Sequence, residues 1–329
     1  MLRKGLTQVY TGRSEKINFA PFGLAVRASG HKFRTLITCF EPHELMDGAI
    51  RASAHLDTMI IEHSDIDKAP DAFQKAKQAA LAGDYDIVVL SRILPLINQD
   101  VISLEQILTF MKEKPERVEL VLSGSGAPQD IIEKADLVTE MVVSGPTTAS
   151  ESRNDEDQGT IEVITGNGKG KTTYCLGKAV LKSCLGTRSS ILQFIKSPKP
   201  YGEVKAIRKL TNLEIRSMGE GFVNLHSTDL KKRHVDAARR AWEECLREIF
   251  SLKYGLIVLD EIDNATHYGL LNPERVREML FLKPRNLQLL LSGRNAHPEV
   301  TKAATTVIEM KEIKHPFNRG IKARKGIEF

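Results

Sequence analysis

The chain has 329 residues, a formal net charge of +5, 27% charged and 41% hydrophobic residues, and four dispersed cysteines. This is the composition of a soluble globular protein long enough for two cores. No apolar run approaches membrane-spanning length, and the amino end reads as the approach to a strand, not as a signal peptide. Positive charge spread along the chain suits phosphate-bearing small molecules and argues no nucleic-acid surface, while cysteines without C-x-x-C spacing fit a reduced, cytoplasmic setting.

The chain opens on a pattern that it later repeats. Gly5-Leu6-Thr7-Gln8-Val9-Tyr10-Thr11-Gly12 parallels Gly159-Thr160-Ile161-Glu162-Val163-Ile164-Thr165-Gly166, and the register holds through Gly23/Gly177, Ala25/Ala179, Val26/Val180, Ser29/Ser183 and Phe40/Phe194. A second stretch in constant register pairs 85–90 with 254–259, Leu122-Ser123-Gly124 with Leu291-Ser292-Gly293, and Glu140-Met141 with Glu309-Met310. The second copy is the longer one between Phe194 and Tyr254. Two stretches in fixed register predict a tandem duplication, with one domain over 1–143 and the other over 159–329. Between them, 144–158 holds almost nothing apolar and reads as a linker.

The copies differ in chemistry. After its first strand the second copy carries Gly166-Asn167-Gly168-Lys169-Gly170-Lys171-Thr172-Thr173, followed by a helical pattern at Leu176, Ala179, Val180 and Leu181. A glycine-rich turn between strand and helix surrounds an anion with backbone N–H groups. The helix start adds partial positive charge, Lys171 reaches phosphate, and Thr172 offers a hydroxyl to Mg²⁺. Thr165 stands where the G-x-x-x-x-G-K-[ST] pattern begins with glycine. The first copy has Arg13-Ser14-Glu15-Lys16-Ile17-Asn18 instead, which puts a carboxylate where phosphate would sit and Ile17 in place of the lysine.

Further along the second copy, the pattern predicts strands over 189–196 and 213–216, a short helix over 205–210, and a long amphipathic helix over 229–250. Val235, Ala238, Trp242, Cys245 and Ile249 form that helix's apolar stripe. The run 256–261 reads as a buried parallel strand that ends in Asp260 and Glu261 and delivers them to the crevice of the phosphate loop, where either holds Mg²⁺ directly or through water or the pair caps a helix. The first copy has Ser91-Arg92 there. A helix over 273–280, a strand over 288–292, the turn Gly293-Arg294-Asn295 and a strand over 306–310 complete the pattern. Arg294 reaches phosphate or a partner, or is an exposed turn residue. His297, His315, Cys39 and His43 have no companions at metal-ligand spacing. Strands alternating with helices predict an α/β protein of two P-loop NTPase-like domains with mostly parallel, doubly wound sheets.

Together with Gln193-Phe194-Ile195-Lys196, Gly219-Glu220-Gly221-Phe222, Ala237-Ala238-Arg239-Arg240-Ala241-Trp242 and the tail Lys314-His315-Pro316-Phe317-Asn318-Arg319-Gly320-Ile321-Lys322-Ala323-Arg324-Lys325-Gly326-Ile327-Glu328-Phe329, the loop resembles the P-loop type of cobalamin (corrinoid) adenosyltransferase. The resemblance covers essentially all of the second copy, and the first is similar to a degenerate copy of the same family. It implies transfer of the 5′-deoxyadenosyl group of ATP to Co(I) of a reduced corrinoid, with release of triphosphate. It also implies ATP held by Gly166, Asn167, Gly168, Lys169, Gly170, Lys171, Thr172 and Thr173, with Lys171 and Glu261 carrying the chemistry. Mg²⁺ (or Mn²⁺) would sit on Thr172, Asp260 and Glu261, and Phe222 near the corrinoid's lower face or as a loop anchor. An electron donor, a reductase or flavodoxin, is implied as well. Members pair as homodimers, so the resemblance further implies an intramolecular pseudo-dimer. Asn224 departs from the family, which commonly has Trp there. Two other classes remain open: a nucleotide- or corrinoid-binding regulatory scaffold without transfer activity, and a P-loop ATPase acting on another partner.

Overall fold

The computed structural model describes residues 4–14, 18–41, 43–144, 159–221, 223 and 228–329, with side chains at 228–230 excepted. The first half runs β1 (Thr7–Gly12), α1 (Ala20–Ser29), β2 (Thr35–Phe40), α2 (Met46–His55), β3 (Met59–Ser64), α3 (Ala69–Ala82), β4 (Ile87–Ser91), α4 (Ile93–Asn98), α5 (Leu104–Glu113), β5 (Glu119–Ser123), α6 (Gln129–Lys134) and β6 (Leu137–Ser144). The second half repeats that order: β7 (Ile161–Thr165), α7 (Lys171–Cys184), β8 (Ser189–Gln193), α8 (Gly202–Ile207), β9 (Leu213–Ser217), α9 (Thr228–Ile249), β10 (Leu256–Asp260), α10 (Ile262–His267), α11 (Pro273–Leu282), β11 (Gln288–Ser292), α12 (Pro298–Lys302) and β12 (Thr306–Lys314). The central strands are short and apolar. Leu256, Ile257, Val258 and Leu259 of β10 are buried on both faces, as strands covered by helices on either side must be.

The two halves do not keep separate sheets, which corrects the expectation of one sheet per domain. All twelve strands form one sheet in the order β3-β2-β4-β5-β1-β6-β12-β7-β11-β10-β8-β9. Each half contributes the same sequence of strands, read outward from the centre. The pairing is parallel throughout except where β6 meets β12. There Met141 lies opposite Met310, its own equivalent in the repeat, and Glu140 lies opposite Lys311. A residue that faces its own copy marks a twofold relation, the arrangement of an isologous dimer interface carried within one chain. This pairing also extends β12 to Lys314, beyond the 306–310 that its apolar residues predict. Likewise Ser144, read as linker, ends β6; the rest of that segment and Glu15, Ile17, Phe222 and Asn224 lie outside the described residues.

The cores follow the same logic. On one face of the sheet, α1, α2, α7 and α8 share a single cluster that spans both halves, including Phe22, Leu24, Val26, Leu176, Val180 and Ile207. On the other face each half has its own cluster, around Phe73 and Phe110 in the first and around Trp242 and Met279 in the second. Two independent cores therefore exist on one face only. The central crossing of α1 on α7 explains why the repeat keeps Gly23 and Gly177. A Cβ on Gly23 would run into the carbonyl oxygen of Thr173, and one on Gly177 into that of Phe19. Only glycine permits so close an approach of two helix backbones. No helix among the described residues is long and apolar enough to cross a membrane.

Candidate active site

The loop from Gly166 to Gly170 joins the end of β7 to the start of α7. Thr165, in place of the usual first glycine, uses its hydroxyl to accept a hydrogen bond from the Ala296 N–H at 3.2 Å, tying the loop's base to the turn after β11. Gly170, the residue before α7, has φ +113°, a conformation that side chains rarely adopt. The Tyr10 ring from the first half lies against it, 3.0 Å from where a Cβ would stand. Lys171 opens the helix and folds back, its Nζ donating to the carbonyl oxygens of Gly166 and Gly168 at 2.7 Å each. Burial, then the nearby Arg294, pulls the Lys171 ammonium down to about 8, against the opposing pull of Asp260 and Glu261. A cation curled over a ring of backbone groups at a helix start is ready to exchange carbonyls for phosphate oxygens.

Strand β10 brings the acidic pair to the same crevice with different duties. Asp260 is buried and fully engaged. Its Oδ1 accepts from Thr172 Oγ1 at 2.9 Å and from Ser292 Oγ at 2.6 Å, and its Oδ2 accepts from Gln193 Nε2 at 2.9 Å. It therefore orients the Thr172 hydroxyl. Glu261 takes a left-handed backbone, φ 64°, with its N–H donating to Ser292 Oγ at 3.3 Å. Its Oε2 is buried without a hydrogen-bond partner. Burial, then the Asp260 charge, raises its carboxyl above the usual range, while Lys196 opposes. An orphaned carboxylate oxygen beside a threonine hydroxyl and a phosphate loop suits a hard divalent cation that draws its remaining ligands from phosphate and water. The donors present fit such a cation. Among the described residues, no group of three or more His, Cys, Asp or Glu side chains gathers as a self-sufficient metal nest.

Lys169 to Thr173, Lys196 and Glu261 form one wall of a cavity of about 250 Å³. The opposite wall comes from the first half and the tail: Gln8, Tyr10, Leu24, Arg27, Ile327 and Glu328. Lys169 Nζ meets Glu328 Oε1 at 2.7 Å. The Arg324 N–H donates to Glu328 Oε2 at 2.6 Å, and its guanidinium forks onto the fully buried Glu119 at 2.7 and 2.9 Å. Glu119 also accepts from the Leu6 N–H and from Gln8 Nε2, so the tail is bound to the first strand and its neighbour.

The structure thus gathers Lys169, Gly170, Lys171, Thr172, Thr173 and Glu261 around one cavity, with Asp260 directly behind. Asn167 is exposed, and Arg294 is exposed on the rim with its N–H donating to Asn264 Oδ1 at 2.5 Å. Reading the sequence singled out the tail as a motif without placing it at the site, and it missed the first-half residues and Asp263. That carboxyl is buried on the first turn of α10 with Oδ2 unpartnered, pushed up to about 7 by burial while Lys171 opposes. The one signal for it was a carboxylate where the first copy has Leu94.

A glycine loop, a lysine and a threonine at a helix start, and an acidic pair across the crevice at the carboxyl ends of parallel strands define a P-loop nucleotide-binding protein. The chain belongs to the ATP:corrinoid adenosyltransferase BtuR/CobO/CobP family, whose model matches residues 3–146 and 157–329. It is a tandem duplication with a degenerate first copy. A protein of similar length, the uncharacterized protein all2391 of Nostoc sp., is 29% identical over 99% of this chain and 92% of its own. The corrinoid adenosyltransferase of Pseudomonas aeruginosa is 34% identical over 53% of this chain and 85% of its own length. Corrinoid adenosyltransferase CobA of Salmonella typhimurium is 32% identical over 53% and 87%.

Proposed function

We propose that the chain transfers the 5′-deoxyadenosyl group of ATP to the cobalt of a reduced corrinoid, using only the crevice built on the second half's loop. Co(I) attacks C5′, a Co–C bond forms, and the C5′–O bond breaks with its electron pair leaving on triphosphate. Co(I) is already a strong nucleophile, so the protein's work is to orient C5′ and to stabilise the departing charge. The loop N–H groups and Lys171 do the latter from fixed positions. Thr172 and Glu261 would hold Mg²⁺ (or Mn²⁺), which supplies further positive charge against the triphosphate. A separate donor, a reductase or flavodoxin, supplies the electrons that make Co(I). The reducing cytoplasm is the setting we assign, where the free Cys39, Cys175, Cys184 and Cys245 persist.

The observation that carries this reading is the convergence of Lys171, Thr172 and the unpartnered Glu261 on one cavity within a chain of this family. We further assign the boundaries 1–143, 144–158 and 159–329, with the first domain standing in as the subunit that homodimeric relatives would supply. Anaerobic incubation with ATP, Mg²⁺ and chemically reduced cob(I)alamin tests the activity. The expected result is the light-sensitive spectrum of adenosylcobalamin with one triphosphate per turnover. Phosphate release without corrinoid, or no spectral change beside an active control enzyme, overturns it.

A further inference from the structure

We propose that the first half reads the nucleoside end of the nucleotide held by the second half's loop, with Arg27 as the residue that positions it. The inference rests on ATP being the occupant of the cavity. Its two walls have different chemistry. The loop wall offers lysines and backbone N–H groups and suits phosphate. The opposite wall mixes the apolar surfaces of Tyr10, Leu24 and Ile327 with the Glu328 carboxylate and the Gln8 amide. A carboxylate repels further phosphate but accepts from sugar hydroxyls or an exocyclic amine.

Arg27 is the singular feature of this wall. It is buried on α1, where its Nε donates to Glu203 Oε2 at 3.0 Å and its Nη1 donates to the carbonyl oxygens of Ile327 and Glu328 at 3.1 Å each. Among the described residues Nη2 makes no hydrogen bond, and the side chain lines the cavity. Glu203 also accepts from Lys196 at 2.6 Å; burial alone would raise its carboxyl, but the two cations win and hold it far below the usual range.

The repeat shows what the position needs structurally. Leu181 is the second half's equivalent of Arg27. Each carbonyl oxygen lies under the equivalent glycine of the other half, Gly48 over Leu181 and Gly202 over Arg27. Packing at this crossing is satisfied by leucine, so a buried guanidinium, costly to desolvate, answers a different demand. Its neighbours diverge in step: Gln8, Tyr10 and Leu24 stand where the second half has Glu162, Ile164 and Lys178. Those last replacements close on themselves, Lys178 Nζ meeting Glu162 Oε1 at 2.5 Å. The polar wall exists only opposite the intact loop.

The test is calorimetric titration of the full chain with Mg²⁺-ATP and with Mg²⁺-tripolyphosphate, which carries the phosphates without the nucleoside. Arg27→Leu installs the residue of the other half; Arg27→Lys keeps a cation opposite Glu203 and is judged by the same ratio should the leucine variant not fold. The expected outcome is ATP binding weakened about tenfold or more, with tripolyphosphate binding within about twofold of the parent. Equal losses for both ligands, or no loss for either, overturn the assignment. A parent chain that binds neither compound overturns instead the reading on which this one rests.

Discussion

The two crevices of the molecule have the same frame and opposite contents. Thr11 accepts from the Ala127 N–H at 3.0 Å as Thr165 accepts from Ala296. The Gly124 N–H donates to the Tyr10 carbonyl as that of Gly293 does to Ile164, both at 3.2 Å. Ser123 receives the Arg92 N–H as Ser292 receives that of Glu261, and both residues hold the same left-handed turn, φ 63° and 64°. Duplication has preserved the backbone, including a conformation unfavourable for any side chain. What changed is charge: Arg92 replaces the carboxylate and pairs with Glu41 at 2.6 Å, and the first crevice encloses only about 20 Å³. Fold and chemistry have separated within one chain. The frame, tied to the shared face of the core, is present in both halves, whereas the loop and acidic pair are present in the second alone.

That comparison breaks most easily at the lysine. Lys171→Ala should lower the transfer rate by about 10³-fold and abolish tight ATP binding, since it removes a preorganised cation from the leaving triphosphate. Glu261→Gln should cost about 10–100-fold in Mg²⁺-dependent transfer, read by following rate against Mg²⁺ concentration; unchanged metal dependence would remove Glu261 from the metal site. The shared scaffold is tested by Gly23→Ala, which forces a methyl into the Thr173 carbonyl and should destabilise the whole chain by about 1–3 kcal/mol in urea unfolding.

Acidity sharpens the contrast. Lys171 is cationic below about 8 in the free protein and loses its proton above it, so binding phosphate at higher pH must restore that proton. ATP affinity should therefore fall as pH rises through 8, by at most about tenfold per unit, and Lys171→Arg should flatten the profile. Arg92→Ala, in the opposite crevice, should leave the transfer rate where it was; a changed rate would assign the first crevice a share in the reaction.

Much of this was legible in the sequence, for identifiable reasons. The loop, its strand and helix, and the acidic pair are local patterns, and the repeat announced itself through Gly23/Gly177 and Met141/Met310. The reason for those pairs was not legible, because it lies in a crossing and a strand pairing that join distant segments. Nor does any spacing rule point at Arg27, Tyr10 or Glu328, which meet the loop only in three dimensions. The readable signal for Arg27 was comparative: a charged residue in a register position where the sister copy has a buried leucine. Element ends slipped where local pattern was weak. The short helix read over 205–210 is Gly202–Ile207, and the strand read to Lys196 stops at Gln193.

The central claim is that this chain of two similar halves has one working nucleotide site, and counting bound nucleotide tests it most directly. Titration of the full chain with ATP and Mg²⁺ should give one ATP per chain, lost on Lys171→Ala. Two ATP per chain, or one that survives that substitution, would contradict the account.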